Sequence, residues 1–262
     1  MSSADGSILI STQVDQKGIN NGLKSISSSL GKLAGIVGVA FSVGAIVKFG
    51  KEAVNMASDL QEVQNVVDTA FGSMSYKMEQ FADTAIESFG ISELTAKKTG
   101  STFMAMGVGM GIAQESASDM AIQLTGLSAD MASFYNVSQD VASTALKSIF
   151  TGETESLKQF GVVMTEANLQ EFARTQGIKK SISAMTQQEK VMLRNQFVQQ
   201  QLSLASGDFI RTQDSWANQT RILGERWKEF LGIVGTGLIT VLTPVLRFLN
   251  GFVATLINFL LS

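Results

Sequence analysis

Helix-type spacing of apolar residues is the feature that most constrains the fold of this chain. Over most of its 262 residues, apolar side chains recur three and four positions apart, as Ile19, Leu23 and Ile26 do near the start. This spacing places side chains on one face of an α-helix. There is one proline, Pro244, against 24 glycines. The sequence therefore predicts an all-α fold, a multi-helix bundle or an extended helical array, with apolar helices at its ends.

One short segment departs from the helical spacing. Residues 7–14 (SILISTQV) alternate, with Ile8 and Ile10 on the same side. Alternation with a period of two is typical of a β-strand. The all-α prediction therefore includes one short N-terminal strand as a possible exception.

The absence of both Cys and His excludes several kinds of chemistry. Without these residues the chain has no disulfides, thiolate nucleophiles or imidazole bases, and it lacks most zinc and haem ligands. A formal net charge of −3 provides no overall positive field for nucleic acid, so we expect no specific nucleic acid recognition. Apolar residues make up 45% of the chain and charged residues 16%, which predicts a surface that contacts a partner or a membrane.

Four acidic residues lie in a window without lysine or arginine, residues 99–146, and they are Glu115, Asp119, Asp130 and Asp140. Glu115 and Asp119 are one helical turn apart and could share a proton as an acid pair. Hydrolysis that uses only carboxylates needs two such acids facing a cleft. The alternative is an exposed acidic face, which we favour. We assign no catalytic, cofactor-binding or metal-binding residue.

Polar residues at the ends of the apolar segments predict helix junctions. In FTGETESLKQFG (150–161), Gly152 suits the left-handed end of one helix and Thr154 the cap of the next. Thr186 and Glu189 have the spacing of a capping box and predict a helix of about 20 residues that ends at Ser206. Further N-caps are predicted at Ser92, Ser138 and Thr165.

Glycines and apolar runs add three further predictions. The glycine-rich segment 99–114 lacks the spacing of a phosphate-binding loop and predicts a helix break. The apolar run 33–47 is shorter than the roughly 20 residues of a membrane-spanning helix, so it predicts a buried hairpin or packed helix, with membrane insertion as the alternative. Residues 231–262 carry a single charge, Arg247, and contain Pro244, which predicts apolar C-terminal helices, either bundled together or inserted in a membrane as a hairpin or kinked span. We divide the chain into 1–50, 51–230 and 231–262.

Five segments, in their order along the chain, resemble the core region of phage tail tape measure proteins. They are FGIS (89–92), SADMASFYNVS (128–138), ALKSIFTGETESLKQFGVVM (145–164), MTQQEK (185–190) and GDFIRTQDSWANQTRIL (207–223). The most specific part is the block GE…LKxFG followed by GDFxRTxDS. The resemblance extends from about Leu60 to Val245.

This resemblance implies a structural protein, not an enzyme, that lies along the lumen of a phage or prophage tail, in places as a coiled coil. Tail tube subunits would polymerise around it until its length is matched. It implies tail tube and tail tip proteins, tail assembly chaperones and further copies of the chain as partners, in the bacterial cytoplasm during assembly and in the virion tail afterwards. It also implies a role in genome delivery across the host membrane.

Two other functions remain as alternatives. One is a membrane-active helical protein that forms a pore, with the apolar regions near Leu33 and Leu231 as its working parts. The other is a carboxylate hydrolase that uses Glu115 or Asp119. The absence of a basic segment ahead of an apolar run at the N-terminus predicts that the chain is at first kept in the cytoplasm.

Overall fold

The described part of the chain, residues 43–261 of a computed structural model, is built from helices and contains no strand. The predicted all-α fold is confirmed. The predicted strand at 7–14, the amphipathic helix around Ile19 and residues 33–42 of the first apolar run lie outside the described residues. The chain divides into two compact units. The core unit is Asp59–Phe230, and the terminal unit consists, among the described residues, of 43–58 and 231–261.

The helices are numbered in chain order. The first six are α1 (Val43–Phe71), α2 (Ser75–Asp83), α3 (Ala85–Phe89), α4 (Glu93–Gly109), α5 (Gln114–Phe134) and α6 (Gln139–Leu146). The next six are α7 (Ser148–Thr151), α8 (Glu155–Lys158), α9 (Glu166–Thr175), α10 (Gln187–Gln201), α11 (Asp208–Thr212) and α12 (Trp216–Leu261). Short 3₁₀ turns lie at Gly72–Met74 and Ile182–Ala184.

Helix α5 lies at the centre of the core unit. It contacts α2, α3, α4, α6 and α11. Its buried residues lie on several sides of the helix and are mostly small, so neighbouring helices approach it closely. Four fully buried phenylalanines fill the space around it, Phe71, Phe103, Phe150 and Phe209. Burial of such a side chain stabilises a fold by about 1.5–3 kcal/mol.

The predicted N-caps are confirmed at four helix starts. The hydroxyls of Ser92, Ser138, Thr165 and Thr186 each accept a hydrogen bond from the backbone N–H three residues later. Glu189 completes the capping box because its side chain accepts the N–H of Thr186 at 2.7 Å. Helix α10, however, ends at Gln201 and not at Ser206 as predicted.

The predicted helix break in 99–114 is wrong for most of that segment. Helix α4 continues through Gly100 and Gly107 and ends at Gly109. The two glycines are contact points, because a Cβ at Gly100 would lie 2.5 Å from Sδ of Met78 and one at Gly107 would lie 3.2 Å from Cβ of Ala117. Close packing against α2 and α5 therefore outweighs the low helix propensity of glycine.

The terminal unit brings residues 43–58 of α1 against the part of α12 that follows Phe230. Phe49, Ala53 and Ala57 of α1 are buried, as are Leu231 and Leu238 of α12. A Cβ at Gly235 would lie 1.8 Å from the carbonyl oxygen of Ala53. The two backbones thus meet at a position where only glycine fits.

The prediction of separate apolar helices within 231–262 is wrong. The single helix α12 begins at Trp216 and continues through Pro244 to Leu261. A proline removes one backbone hydrogen bond, and here no glycine lies within four residues of it to help end the helix. In the described part of the chain, no helix combines the length and the apolar character that crossing a membrane requires.

Candidate functional site

Residues from three of the five segments that carry the resemblance meet in the core unit. We call this place the signature junction. It consists of Gly90, Asp130, Ser133, Gly207, Asp208, Phe209 and Asn218.

A buried carboxylate holds the start of α11 at the signature junction. Asp130 lies on α5 and is 4% exposed. Its Oδ2 accepts the backbone N–H of Gly207 at 2.6 Å and its Oδ1 accepts that of Phe209 at 3.1 Å. Burial raises the pKa of Asp130, while these two hydrogen bonds act in the opposite direction. The carboxylate therefore has a structural partner on each oxygen.

A second set of hydrogen bonds attaches α11 and the first turns of α12 to the same helix. Ser133 donates to Oδ2 of Asp208 at 2.7 Å. The buried amide of Asn218 donates to the hydroxyl of Ser133 at 3.0 Å and to the carbonyl of Thr212 at 3.1 Å. Arg221 donates to the carbonyl of Ala132 at 3.1 Å. The segment GDFIRTQDSWAN is thus fixed along the C-terminal half of α5.

The ring of Phe209 completes the junction by lying against Gly90. Gly90 ends α3 in the left-handed conformation, with φ of 64°. A Cβ at this position would lie 2.2 Å from Cε2 of the fully buried Phe209 ring. The glycine of FGIS therefore has two roles, since it ends α3 and leaves space for the ring.

Replacing Asp130 with Ala is expected to lower the free energy of unfolding by about 2–4 kcal/mol, because the backbone N–H groups of Gly207 and Phe209 lose their hydrogen-bond acceptor. Urea unfolding of the purified chain measures the loss. Asp59→Asn is the control, because Asp59 is an exposed acid on α1, and it should change stability by less than about 0.5 kcal/mol. Equal stability of the two variants would contradict the role given to Asp130.

The stability difference between the wild type and Asp130→Ala should also depend on pH. Because the folded-state pKa of Asp130 is raised, its contribution is fully present below the ordinary value of 3.8 and falls as pH rises through the raised value. The stability difference between wild type and Asp130→Ala should therefore be larger at acidic pH than at neutral pH. A difference that grows as pH rises would contradict this sign.

The polar loop FTGETES is a helix junction whose cap differs from the prediction. Gly152 has φ of 77° and ends α7, as predicted. The prediction that Thr154 caps the next helix is wrong, because its side chain makes no capping hydrogen bond. Glu153 caps α8 instead, since its carboxylate accepts the N–H of Glu155 and, at 3.4 Å, that of Ser156.

Further hydrogen bonds to Glu153 connect the two short helices. Its carboxylate accepts the hydroxyls of Ser156 at 2.8 Å and of Ser148 at 3.2 Å. The hydrogen bond from Ser156, followed by that from the Glu155 N–H, lowers the pKa of Glu153. An Asp, Ser or Thr is the usual cap, but the longer Glu reaches the same amides from one position earlier. The polar residues of this loop are therefore explained by their roles in ending α7 and capping α8.

A cleft of about 240 Å³, which we call the basic cleft, lies beside this loop. Lys190 and Arg194 of α10 line it, and both are half-buried. Nη1 of Arg194 donates long hydrogen bonds to the carbonyls of Ile149 at 3.4 Å and Phe150 at 3.5 Å. Burial lowers the pKa of Arg194. No residue of the cleft except Glu166 is acidic.

The acidic pair considered for hydrolysis lies on the surface. Glu115 and Asp119 are both exposed on α5. Asp119 forms an ion pair with Lys77 of α2 at 2.6 Å. Within the described residues, no group of three or more Asp and Glu side chains could hold a metal ion. The arrangement of these two residues corresponds to an exposed acidic face.

Two tryptophans of α12 lie outside the core. Trp216 is 88% exposed and Trp227 is 46% exposed. Leu223, between them on α12, is 70% exposed. The spacing of seven and four residues puts all three on one side of the helix.

Sequence reasoning missed the role of Asp130, which it grouped with the other acids of its window. A usable signal was present, because Asp130 is flanked by the small and apolar residues Ala129, Met131 and Ala132. An acidic residue in an apolar segment becomes buried together with that segment, and a buried carboxylate needs hydrogen-bond donors. Comparisons of the chain with protein-family models, with curated proteins and with solved structures gave no match.

Proposed function

We propose that this chain is a phage or prophage tail tape measure protein, or part of one, that acts in tail assembly and in setting tail length. The observation that supports the proposal is the signature junction. Residues of FGIS, SADMASF and GDFIRTQDSWAN, which carry the resemblance, are the residues that contact one another there.

The contacts give the resemblance a physical basis. Here Gly207 lies 77 positions from its partner Asp130 in the sequence, and Asn218 lies 85 positions from Ser133. A family whose members share this junction would keep these residue types together, because each one depends on the others for packing or hydrogen bonding.

The proposed mechanism is structural. The protein would lie in the tail lumen, where its helices pack against each other, against further copies of the chain and against the tube wall. Trp216 and Leu223 offer exposed apolar surface for such contacts. Tail tube and tail tip proteins and tail assembly chaperones are the proposed partners, and the proposed later step is help with genome delivery across the host membrane.

A gene replacement in the phage or prophage that encodes the chain tests this proposal. Deletion of the gene should abolish tails of normal length in electron micrographs, and the wild-type gene supplied in trans should restore them. Asp130→Ala should restore them poorly because the core unit is destabilised. Normal tails in the deletion strain would overturn the proposal.

The same experiment separates the structural function from hydrolysis. A gene with both Glu115→Gln and Asp119→Asn should restore tails as well as the wild-type gene does, because both side chains are exposed. If this double variant failed to support tails while its protein remained folded, the acidic pair would have a function that the proposal does not include.

A further inference from the structure

The basic cleft contains two positive side chains that lack acidic partners. Lys190 and Arg194 are one turn apart on α10 and both face the cleft. Neither forms an ion pair with a carboxylate in the part of the chain that the structure describes. Glu166, the acid of the lining, is exposed. Because Lys190 and Arg194 outnumber the one acidic residue, the lining carries an excess of positive charge.

Arg194 in particular has unused hydrogen-bonding capacity in a partly desolvated position. A guanidinium has five N–H donors, and the contacts of this one are the long hydrogen bonds to Ile149 and Phe150. Burial lowers its pKa without a carboxylate to offset the effect. A half-buried cation in this state gains more from an added anion than an exposed cation does, because water screens it less.

Gly152 allows the guanidinium to occupy this place. A Cβ at Gly152 would lie 2.6 Å from Nη2 and 2.7 Å from Cζ of Arg194. The glycine that ends α7 therefore also opens the wall of the cleft to the arginine. The hydroxyl-bearing residues Thr154 and Ser183 lie on the same lining and add potential donors.

The rest of the lining is apolar. Met164, Leu169 and Ile182 are all less than a tenth exposed and line the cleft. A volume of about 240 Å³ is larger than the roughly 150 Å³ that holds a benzene molecule and smaller than the usual site for a drug-sized ligand. The size suits a group as large as one amino-acid residue.

We propose that the basic cleft binds a carboxylate attached to a small apolar group, with Lys190 and Arg194 on the carboxylate and Met164, Leu169 and Ile182 around the apolar part. The paired donors of a guanidinium match the two oxygens of a carboxylate. Such a group exists both as a free small acid and as the C-terminal residue of a peptide. The inference does not depend on the proposed function, since it rests on the cleft alone.

N-acetyl-L-leucine is the probe, and its neutral amide is the matched control. Titration of the intact 262-residue chain, followed by amide NMR shifts, should show saturable changes at Thr154, Ile182, Lys190 and Arg194 with the acid. The amide should cause none of comparable size. Equal binding of acid and amide, or no saturable shift with either, would overturn the proposal.

Variants locate the binding. Lys190→Gln and Arg194→Gln should each weaken binding of the acid at least about tenfold, because a charged hydrogen-bonding partner is lost. Lys179→Gln, an exposed cation outside the lining, should bind as the wild type does. Circular dichroism checks that each variant is folded, and Lys190→Gln serves as the main test because Arg194 also contacts α7. Unchanged affinity of Lys190→Gln would contradict the site.

Two further probes identify the source of the carboxylate and the role of the apolar wall. If a short peptide ending in leucine with a free carboxylate binds at least as tightly as N-acetyl-L-leucine, the ligand is a chain end. If only the free acid binds, the ligand is a small molecule. Either outcome supports the carboxylate assignment. Binding of inorganic phosphate without binding of the acid would overturn it, because phosphate has no apolar part.

Discussion

Gly90→Ala is expected to lower the free energy of unfolding by about 2–5 kcal/mol. The left-handed conformation of residue 90, with φ of 64°, costs about 1–2 kcal/mol for a residue with a Cβ. The new methyl group would also lie 2.2 Å from the ring of Phe209, so the ring or α3 must move, at a cost of about 1–3 kcal/mol. Urea unfolding followed by circular dichroism measures the sum.

Gly161→Ala separates the two contributions. Gly161 has φ of 77°, close to that of Gly90, but apart from its chain neighbours no atom lies within 4 Å of the position that a Cβ would take. This variant should lose only the conformational contribution of about 1–2 kcal/mol. If the two variants lost equal stability, the contact between Gly90 and Phe209 would have no energetic importance, and the packing proposed for the signature junction would be contradicted.

Gly235→Ala is expected to separate the two helices of the terminal unit, at a cost of about 3 kcal/mol. The added Cβ would lie 1.8 Å from the carbonyl oxygen and 2.5 Å from the carbonyl carbon of Ala53, atoms of the α1 backbone that no side-chain rotation can move. Hydrogen exchange of the α12 amides after Phe230 measures the loss locally, independently of the core unit.

Gly237→Ala is the control on the same helix. Gly237 is exposed, and apart from its chain neighbours and the backbone of its own helix no atom lies within 4 Å of its Cβ position. Alanine is a better helix former than glycine, so this change should slow exchange and stabilise α12 by about 0.5–1 kcal/mol. If Gly235→Ala destabilises α12 while Gly237→Ala stabilises it, the backbone contact at Gly235 is supported. If both changes alter the stability of α12 in the same direction, that contact is excluded.

Features that depend on neighbouring residues were predictable from the sequence. The apolar spacing predicted an all-α fold, and the described residues are built from helices. The hydroxyl caps at Ser92, Ser138 and Thr165 and the capping box at Thr186 were found because a cap acts within three residues. These local rules gave the starts of α4, α6, α9 and α10.

Features that depend on distant residues were not predictable in the same way. Gly100 and Gly107 stay helical because of contacts with α2 and α5, which no local rule contains. The partners of Asp130 lie 77 and 79 positions away, so its role became visible only in the fold. Thr154 was chosen as a cap by residue type, whereas the longer side chain of Glu153 takes that place.

The basic cleft shows the same limit for a binding site. Lys190 and Arg194 are close in sequence, but the sequence does not bring them to Thr154 or to the buried residues Met164 and Ile182. The glycine that ends α7 was predicted from its local role alone. Its second role, space for a guanidinium, depends on α10.

Tail length is the most direct test of the proposed function. An insertion of 36 helix-forming residues between Leu246 and Arg247 adds ten turns to α12 and about 54 Å of helix, without changing the faces on either side. The same 36 residues inserted between Lys179 and Lys180, in an exposed loop of the core unit, are the control. In the encoding phage, mean tail length in electron micrographs should increase by about 54 Å with the first insertion and stay unchanged with the second. Tails of wild-type length with both insertions would contradict a tape measure.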